Sequence, residues 1–145
     1  MLSITTGLPK TASRRLKMKL GYAIVYVPNV PETMDFYAKA FGLDTRFLHE
    51  SQQYGEMETG NTTLAFADET FVSTRECFRP NRPSDKAAGF EIAFVATDVP
   101  AAFQRACDSG AIPISSPETK PWGQVVSYVR DLNGVLVEIC SEIGA

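Results

Sequence analysis

The chain has 145 residues, of which 44% are apolar and 21% charged, and it carries a formal net charge of −3. A chain of this length buries enough surface to fold as one domain without metal or disulfide cross-links. Its apolar stretches are far shorter than the roughly 18 residues that span a bilayer, and its start lacks the apolar segment of an export signal. The sequence therefore predicts neither a membrane protein nor a secreted one.

The number and spacing of the cysteines indicate whether the protein resides in a reducing or an oxidising cellular compartment. Cys77, Cys107 and Cys140 are odd in number and widely spaced, and none has the CxxC or CxxH companion of a structural zinc site. Disulfides persist in oxidising compartments and are rare in the cytosol. This pattern predicts reduced thiols and a cytoplasmic location.

Positive charge is concentrated at the start of the chain. Five basic residues precede the first acidic residue, Glu32, and the remainder holds nine basic against 17 acidic residues, a net charge of −8. Nucleic-acid surfaces need clustered Lys and Arg, so we expect no nucleic-acid partner. We interpret residues 1–17 as a basic, flexible extension or as the product of an upstream start codon, with Met18 as the functional initiator. An organelle transit peptide is the alternative.

The first half of the chain predicts a strand, a helix and three more strands. A β-branched and aromatic run at residues 19–27 ends at Pro28, and apolar residues then recur at helical spacing from Pro31 to Phe41, before Gly42 in the position of a C-cap. Three short strands follow, at residues 43–50, 53–58 and 62–67.

The second half repeats this order. Residues 69–89 hold prolines and charges without a clear period, which predicts a connection. A strand, a helix and three strands then follow, at residues 91–96, 101–109, 111–115, 123–130 and 135–140. The segment VPNVP at 27–31 overlays ATDVP at 96–100 with an offset of 69, and Gly42 overlays Gly110 at 68. We therefore interpret the chain as an internal duplication.

The duplication determines the predicted fold. Each half is too small to be stable alone, so the two units should share one interior. We predict an α+β fold with a single domain at 18–145, made of two βαβββ units at about 18–68 and 89–141. The units are expected to join into one curved mixed sheet around a cavity, with the helices on its outer face.

Two segments within the duplicated unit carry a family resemblance. They are YAIVYVPNV at 22–30, with Phe36-Tyr37 and Phe41-Gly42 after it, and the ending YVRDLNGVLVE at 128–138. Together they resemble the vicinal oxygen chelate superfamily, which includes glyoxalase I, extradiol dioxygenases, fosfomycin-resistance enzymes and bleomycin-binding proteins. The resemblance covers about residues 18–141. It does not fix an activity, because lyases, isomerases, oxygenases, transferases and drug-sequestering proteins share this scaffold.

The resemblance also indicates where a metal would lie. Catalytic relatives hold it at four equivalent points, which fall here on Tyr22, Ala65, Glu91 and Glu138, and only Glu138 matches the family's residue type. Catalytic zinc, iron and manganese sites want imidazole together with carboxylate. The chain has one histidine, His49, at a position where the family places no ligand. We therefore expect no metal and no other cofactor, with weak Mg²⁺ or Ca²⁺ binding by the two glutamates as the alternative.

Glu91 and Glu138 are the candidate catalytic residues. The offset of 69 maps Tyr22 onto Glu91, so both glutamates are expected to face one cavity. Two nearby carboxylates push one pKa upward, which can provide an acid or a base near neutral pH. The competing interpretation is that each carboxylate is solvated or pairs with an arginine such as Arg130.

Five further residues are candidates for ligand contact: Tyr22, Tyr26, Trp122, Tyr128 and His49. Aromatic rings can stack on a flat ligand, and the ordinary pKa of histidine lies near neutrality. The competing interpretations are core packing for an inward-facing tyrosine, a loop or dimer-interface anchor for Trp122, and an exposed strand position for His49.

Two functions follow from these residues. The first is metal-independent binding or sequestration of a small aromatic or amphipathic molecule, which the missing imidazoles favour. The second is a lyase or isomerase that uses Glu138 and Glu91 as an acid–base pair, with or without a weakly held divalent ion. The sequence alone identifies no substrate.

We also expect a homodimer, in which the cleft either belongs to one chain or is shared between the two. Four-stranded halves leave sheet edges that need covering. Several apolar side chains near these edges would be partly exposed to solvent in a monomer: Phe71, Val72, Phe78 and Trp122. A twofold dimer is the commonest way to cover such a surface.

Overall fold

The computed structural model describes residues 17–144 and contains two helices and eight strands in this range. The first unit comprises β1 (Tyr22–Val27), α1 (Val30–Phe41), β2 (Asp44–Leu48), β3 (Tyr54–Glu58) and β4 (Thr63–Asp68). A short 3₁₀ helix (Arg75–Cys77) interrupts the connection. The second unit comprises β5 (Ile92–Val95), α2 (Val99–Asp108), β6 (Ile112–Thr119), β7 (Val125–Arg130) and β8 (Leu136–Cys140). The predicted extension at 1–17 lies, apart from Lys17, outside the described residues.

The strands form two four-stranded mixed sheets, with the orders β1-β4-β3-β2 and β5-β8-β7-β6. In each sheet the first and last strands of the unit pair in parallel and the other pairs are antiparallel. The α+β class and the duplicated βαβββ order are confirmed. The single continuous sheet is corrected to two, because within residues 17–144 no ladder joins β1 to β5 and each of these strands ends its own sheet.

The helices begin and end where local chemistry favours it. Asn29 caps α1, its side chain accepting a hydrogen bond from the Glu32 N–H at 3.0 Å, and Gly42 ends the helix in the left-handed conformation at φ +71°. Asp98 caps α2 in the same way, through the Ala101 N–H. This cap is why α2 begins two residues earlier than the sequence pattern predicts.

The hairpin between β6 and β7 also differs from the prediction. Strand β6 continues to Thr119 instead of ending at Ser115, and β7 begins at Val125 instead of Gly123. The Lys120 N–H donates to the Gln124 carbonyl oxygen at 2.8 Å and so closes a tight turn between longer strands. Trp122 lies at the tip of this turn.

One hydrophobic core extends through both units. It combines residues of the first unit, such as Val27, Tyr37 and Phe66, with Val129 and Val137 of the second. Phe41 at the end of α1 packs on Phe94 of β5, with ring centroids 5.0 Å apart. The two sheets are therefore held together by helices and side chains, not by strand pairing.

A buried polar network links the units through this core. The Tyr37 hydroxyl of α1 donates to Asp131 Oδ2, in the turn between β7 and β8, at 2.6 Å. Burial raises the pKa of the Asp131 carboxyl, and burial together with this carboxyl raises the pKa of the Tyr37 hydroxyl. Asn133 in the same turn donates to Thr33 Oγ1 at 3.0 Å. The two sequence motifs that carry the family resemblance thus meet each other.

No helix among the described residues has the length and apolar character needed to cross a membrane.

Candidate active site on the open face of the second sheet

Each sheet has one face towards the helices and one face away from them, which we call its open face. In β1, Val25 and Val27 are buried in the core, so Tyr22, Ile24 and Tyr26 lie on the open face. This alternation agrees with the pattern in the sequence. In β5, Ile92 and Phe94 pack against the core, so the adjacent Glu91 shares the open face with Ala93 and Val95.

The strand registers support the equivalence of the two units. Ala65 pairs with Ile24 across β1 and β4, and Glu138 pairs with Ala93 across β5 and β8. Ile24 and Ala93 are separated by the 69 residues of the internal repeat. Ala65 and Glu138 therefore occupy matching positions, with a methyl group in the first unit and a carboxylate in the second.

Glu91 and Glu138 meet on the open face of the second sheet. Their side chains hydrogen-bond to each other, and this contact, with partial burial and the charge of Glu138, raises the pKa of Glu91 to about 7. The same hydrogen bond lowers the pKa of Glu138. The pair, which we call the carboxylate pair, holds one shared proton up to near neutral pH.

Two neighbours complete the cluster around the carboxylate pair. The Tyr128 hydroxyl donates to Glu138 Oε1 at 3.2 Å. Cys140 is the other neighbour, and burial followed by the Glu138 carboxylate raises the pKa of its thiol to about 11. Cys140 is therefore protonated at neutral pH and poorly nucleophilic.

Arg130 does not neutralise the carboxylate pair, although it lies on the same face of β7. Its guanidinium donates instead to backbone carbonyl oxygens, of Gly134 at 2.9 Å, Asp85 at 2.7 Å and Pro83 at 3.2 Å. The interpretation in which Arg130 pairs with a glutamate is therefore wrong, because the connection between the units takes up its donors.

Tyr22 lies beside a different polar cluster, on the open face of the first sheet. Arg46 forms a two-pronged ion pair with Glu58, at 3.2 and 2.8 Å, and approaches Glu56 at 3.5 Å. The Tyr54 hydroxyl donates to Glu56 at 2.7 Å, and burial followed by this carboxylate raises the pKa of Tyr54 to about 12. Arg46, Tyr54 and Glu56 were not among the candidates, although the alternation of Tyr54, Glu56 and Glu58 signalled a polar strand face.

The remaining candidates are spread over the molecule. Tyr26 is on the first sheet, where Phe78 of the connection covers its ring. His49 lies in the turn after β2, with Nδ1 2.8 Å from the Ser51 hydroxyl. Trp122 is 58% exposed and donates to Gln124 Oε1 at 2.8 Å. The Gln124 amide in turn donates to the carbonyl oxygen of Ser141, the residue after Cys140, at 2.9 Å. The structure therefore brings together Glu91, Glu138 and Tyr128, links Trp122 to their edge, and places Tyr22, Tyr26 and His49 elsewhere.

Comparison with known proteins identifies the family. Residues 19–139 match the model of the Glyoxalase/Bleomycin resistance protein/Dioxygenase superfamily. The chain belongs to this superfamily. No curated protein sequence matches it.

Several solved structures share the fold. A family enzyme from Burkholderia phytofirmans PsJN aligns with a TM-score of 0.73 and 17% identity, over 86% of this chain and 98% of the other. A glyoxalase-related enzyme from Fulvimarina pelagi aligns at 0.68 and 18%, over 86% and 88%. TioX from Micromonospora sp. ML1 aligns at 0.68 and 18%, over 87% and 100%. At these identities the similarity establishes the fold alone.

None of the four residues that the resemblance maps onto the superfamily's metal positions is a histidine. Tyr22 and Ala65 offer a phenol and a methyl group on one sheet, and Glu91 and Glu138 offer two carboxylates on the other. Imidazole nitrogen is the ligand that zinc and iron sites of this kind require. Within residues 17–144, no group of three or more His, Cys, Asp or Glu side chains is placed to hold a metal ion.

Proposed function

We propose that the protein binds a small molecule without a metal ion, on the open face of its second sheet around the carboxylate pair. The observation that carries this proposal is the juxtaposition of the Glu91 and Glu138 carboxyl groups on one sheet face, at the position where catalytic relatives hold a metal. Two carboxylates without a neighbouring arginine repel each other unless a proton or a ligand lies between them. The shared proton supplies that attraction in the free protein.

The carboxylate pair offers a ligand both a donor and an acceptor. A ligand acceptor can take the Glu91 proton in place of Glu138, while Glu138 accepts from Tyr128 and from a ligand hydroxyl or amine, which replaces the bond that Glu91 gave. The exposed Trp122 indole, joined to the same edge through Gln124, provides a flat apolar surface. This combination suits an amphipathic ligand with an aromatic part and a polar group.

A second function, as a lyase or isomerase, is favoured by the pKa of Glu91. A general acid or base works best with a pKa near the working pH, and Glu91 has a pKa of about 7. In this reading Glu138 removes a proton from carbon or oxygen of the substrate and Glu91 returns one to the product. A weakly held Mg²⁺ or Ca²⁺ would replace the shared proton and leave the pair without its acid.

We also propose that the protein is a homodimer. The open faces carry large apolar side chains that a single chain leaves in water: Tyr22 is 56% exposed, Ile24 48%, Val95 61% and Ile112 43%. The free edges of β1 and β5 lie next to these faces. Pairing with a second copy would cover both and could bring Arg46 and Glu56 of one chain towards the carboxylate pair of the other. Sedimentation of a monomer of about 16 kDa at tens of micromolar would reject the dimer.

The binding proposal is tested with protein purified without chelator. A thermal-shift screen against metabolites and antibiotics identifies a ligand, and calorimetry then compares the wild type with Glu138→Gln, Glu91→Gln and the control Glu142→Gln, an exposed glutamate two residues beyond β8. We expect each change in the pair to weaken binding at least about tenfold, and the control to have no effect. Stoichiometric zinc, iron or manganese whose removal abolishes binding would contradict the proposal.

Turnover separates the two functions. If the protein is an enzyme, Glu91→Gln should abolish turnover even at ligand concentrations that saturate its weakened binding. If it is a binding protein, the wild type should leave the identified ligand unchanged.

A further inference from the structure

The connection between the two units forms a loop whose ends are tied together. We call residues 69–82 the connecting loop. At its base the Glu69 carboxylate, 6% exposed, accepts two hydrogen bonds from the Arg82 guanidinium, at 3.1 and 2.5 Å. Arg130 fixes the outgoing end by donating to the carbonyl oxygens of Arg82 and Asp85. Because both ends are held, the segment between them can leave the sheet without disturbing β4 or β5.

The tip of the connecting loop, residues 72–80, contacts one residue of the open face, Tyr26. The rings of Phe78 and Tyr26 stack with centroids 4.4 Å apart and an interplanar angle of 27°. The hydroxyl oxygens of Tyr26 and Thr74 lie 2.9 Å apart. In the described part of the chain, no other side-chain hydrogen bond joins residues 72–80 to the first sheet. The contacts of Tyr26 therefore hold the tip in place.

Most of the tip is solvated. Residues 73–77 and Arg79 are exposed, whereas Val72, Phe78 and Pro80 are half-buried, so Phe78 carries the one aromatic ring that lifting the tip removes from contact. The ring of Phe78 lies against Tyr26 in the way that a flat ligand would. The connecting loop thus covers one aromatic surface of the open face with a ring that a ligand can replace.

We propose that the connecting loop is a lid over the Tyr26 end of the open face, and that a flat aromatic ligand is admitted by displacing Phe78. The inference rests on the proposed function only in that the open faces receive a small molecule. It adds the Tyr26 ring, on the first sheet, to Trp122 as an aromatic surface for a small molecule, and it gives the loop a role in access. The measured affinity is then the affinity of the open form multiplied by the fraction of molecules whose lid is open.

The first test needs no ligand. Trypsin can cut the tip only after Arg75, because Arg79 and Arg82 each precede proline. The full chain is compared with Phe78→Ala and with the control Phe71→Ala, which removes an exposed ring from the same loop. We expect Phe78→Ala to speed cleavage after Arg75 by about two- to tenfold, the range of one aromatic pair, and the control to be unchanged. Equal rates in all three proteins would overturn the proposal.

The second test uses 2-naphthol as the flat probe. Saturating probe should speed cleavage after Arg75 in the wild type, and titration followed by ¹⁵N NMR should show it binding Phe78→Ala about two- to tenfold more tightly. The lid proposal would be overturned if the probe slowed cleavage, if it bound Phe78→Ala more weakly than the wild type, or if it did not bind Phe78→Ala at all. Glu138→Gln should leave the cleavage rate unchanged, so failure of the carboxylate-pair account and failure of the lid are distinguishable.

Discussion

The bond between the two units can be weakened by one substitution, Tyr37→Phe. Tyr37 is fully buried, and its hydroxyl donates at 2.6 Å to Asp131, 94 residues later in the chain. Phenylalanine keeps the ring packing against Phe66 and Phe94 and removes only the hydroxyl. We expect the free energy of unfolding to fall.

The structure sets the size of that loss. Hydrogen bonds to charged groups contribute roughly 1.5–3 kcal/mol when buried. Asp131 Oδ1 keeps its bonds from the N–H groups of Asn133 and Val135, both at 2.8 Å, so the carboxylate retains part of its solvation. We therefore expect a loss of about 2 kcal/mol, which lowers the Tm of a domain near this size by about 6 °C.

Urea unfolding followed by far-ultraviolet circular dichroism measures this loss, with Tyr54→Phe as the matched control. The Tyr54 hydroxyl also donates to a carboxylate, Glu56 Oε2 at 2.7 Å, but it lies on a partly solvated sheet face where water can replace it. The control should cost less than about 0.5 kcal/mol. Equal losses in the two variants would refute the view that the Tyr37 bond is a buried link between the units.

Three further predictions concern pH, backbone and thiols. The pKa of Glu91 is about 7 in the folded chain against an ordinary value of 4.5, so between these pH values the folded state binds more protons than the unfolded state. The free energy of unfolding should therefore fall as the pH rises through this range. Urea unfolding at pH 5 and pH 8 should show this fall in the wild type and a smaller one in Glu91→Gln. In the same unfolding assay, Gly134→Ala should lower the free energy of unfolding by more than about 2 kcal/mol, because Gly134 has φ +91° and an added Cβ would lie 2.6 Å from a backbone oxygen. Gly60 has a similar φ of +88° but open space around it, so Gly60→Ala should cost about 1 kcal/mol. Exposed Cys77 should react with a disulfide reagent at pH 8 well before buried Cys140 in a timed thiol assay.

The sequence predicts the elements and faces well because their signals are local. The alternation in β1 distinguishes core from open face, and the glycine after Phe41 marks the end of α1. The offset of 69 maps Tyr22 onto Glu91. The strand registers then place Ala65 and Glu138 at matching points, because their partners Ile24 and Ala93 are separated by the same 69 residues. These features depend on side-chain periodicity and turn chemistry, which are determined by residues close together in the sequence.

The rest depends on contacts that no local pattern encodes. A bulge between Thr45 and Phe47 brings Arg46 onto the open face with Glu58, although strict alternation from Phe47 would place it on the other face. Arg130 shares a face with Tyr128, yet its donors go to carbonyl oxygens of an aperiodic connection. The same connection places Phe78 on Tyr26, so a residue predicted to meet a ligand meets the chain itself.

The most direct test of the central claim is an NMR titration of the carboxyl carbons of ¹³C-labelled glutamate. We expect Glu91 to titrate near pH 7 in the wild type and at a clearly lower pH in Glu138→Gln, where an amide replaces the charged partner. A Glu91 carboxyl that titrates near its ordinary value of 4.5 in the wild type, unchanged by Glu138→Gln, would contradict the carboxylate pair and the site built on it.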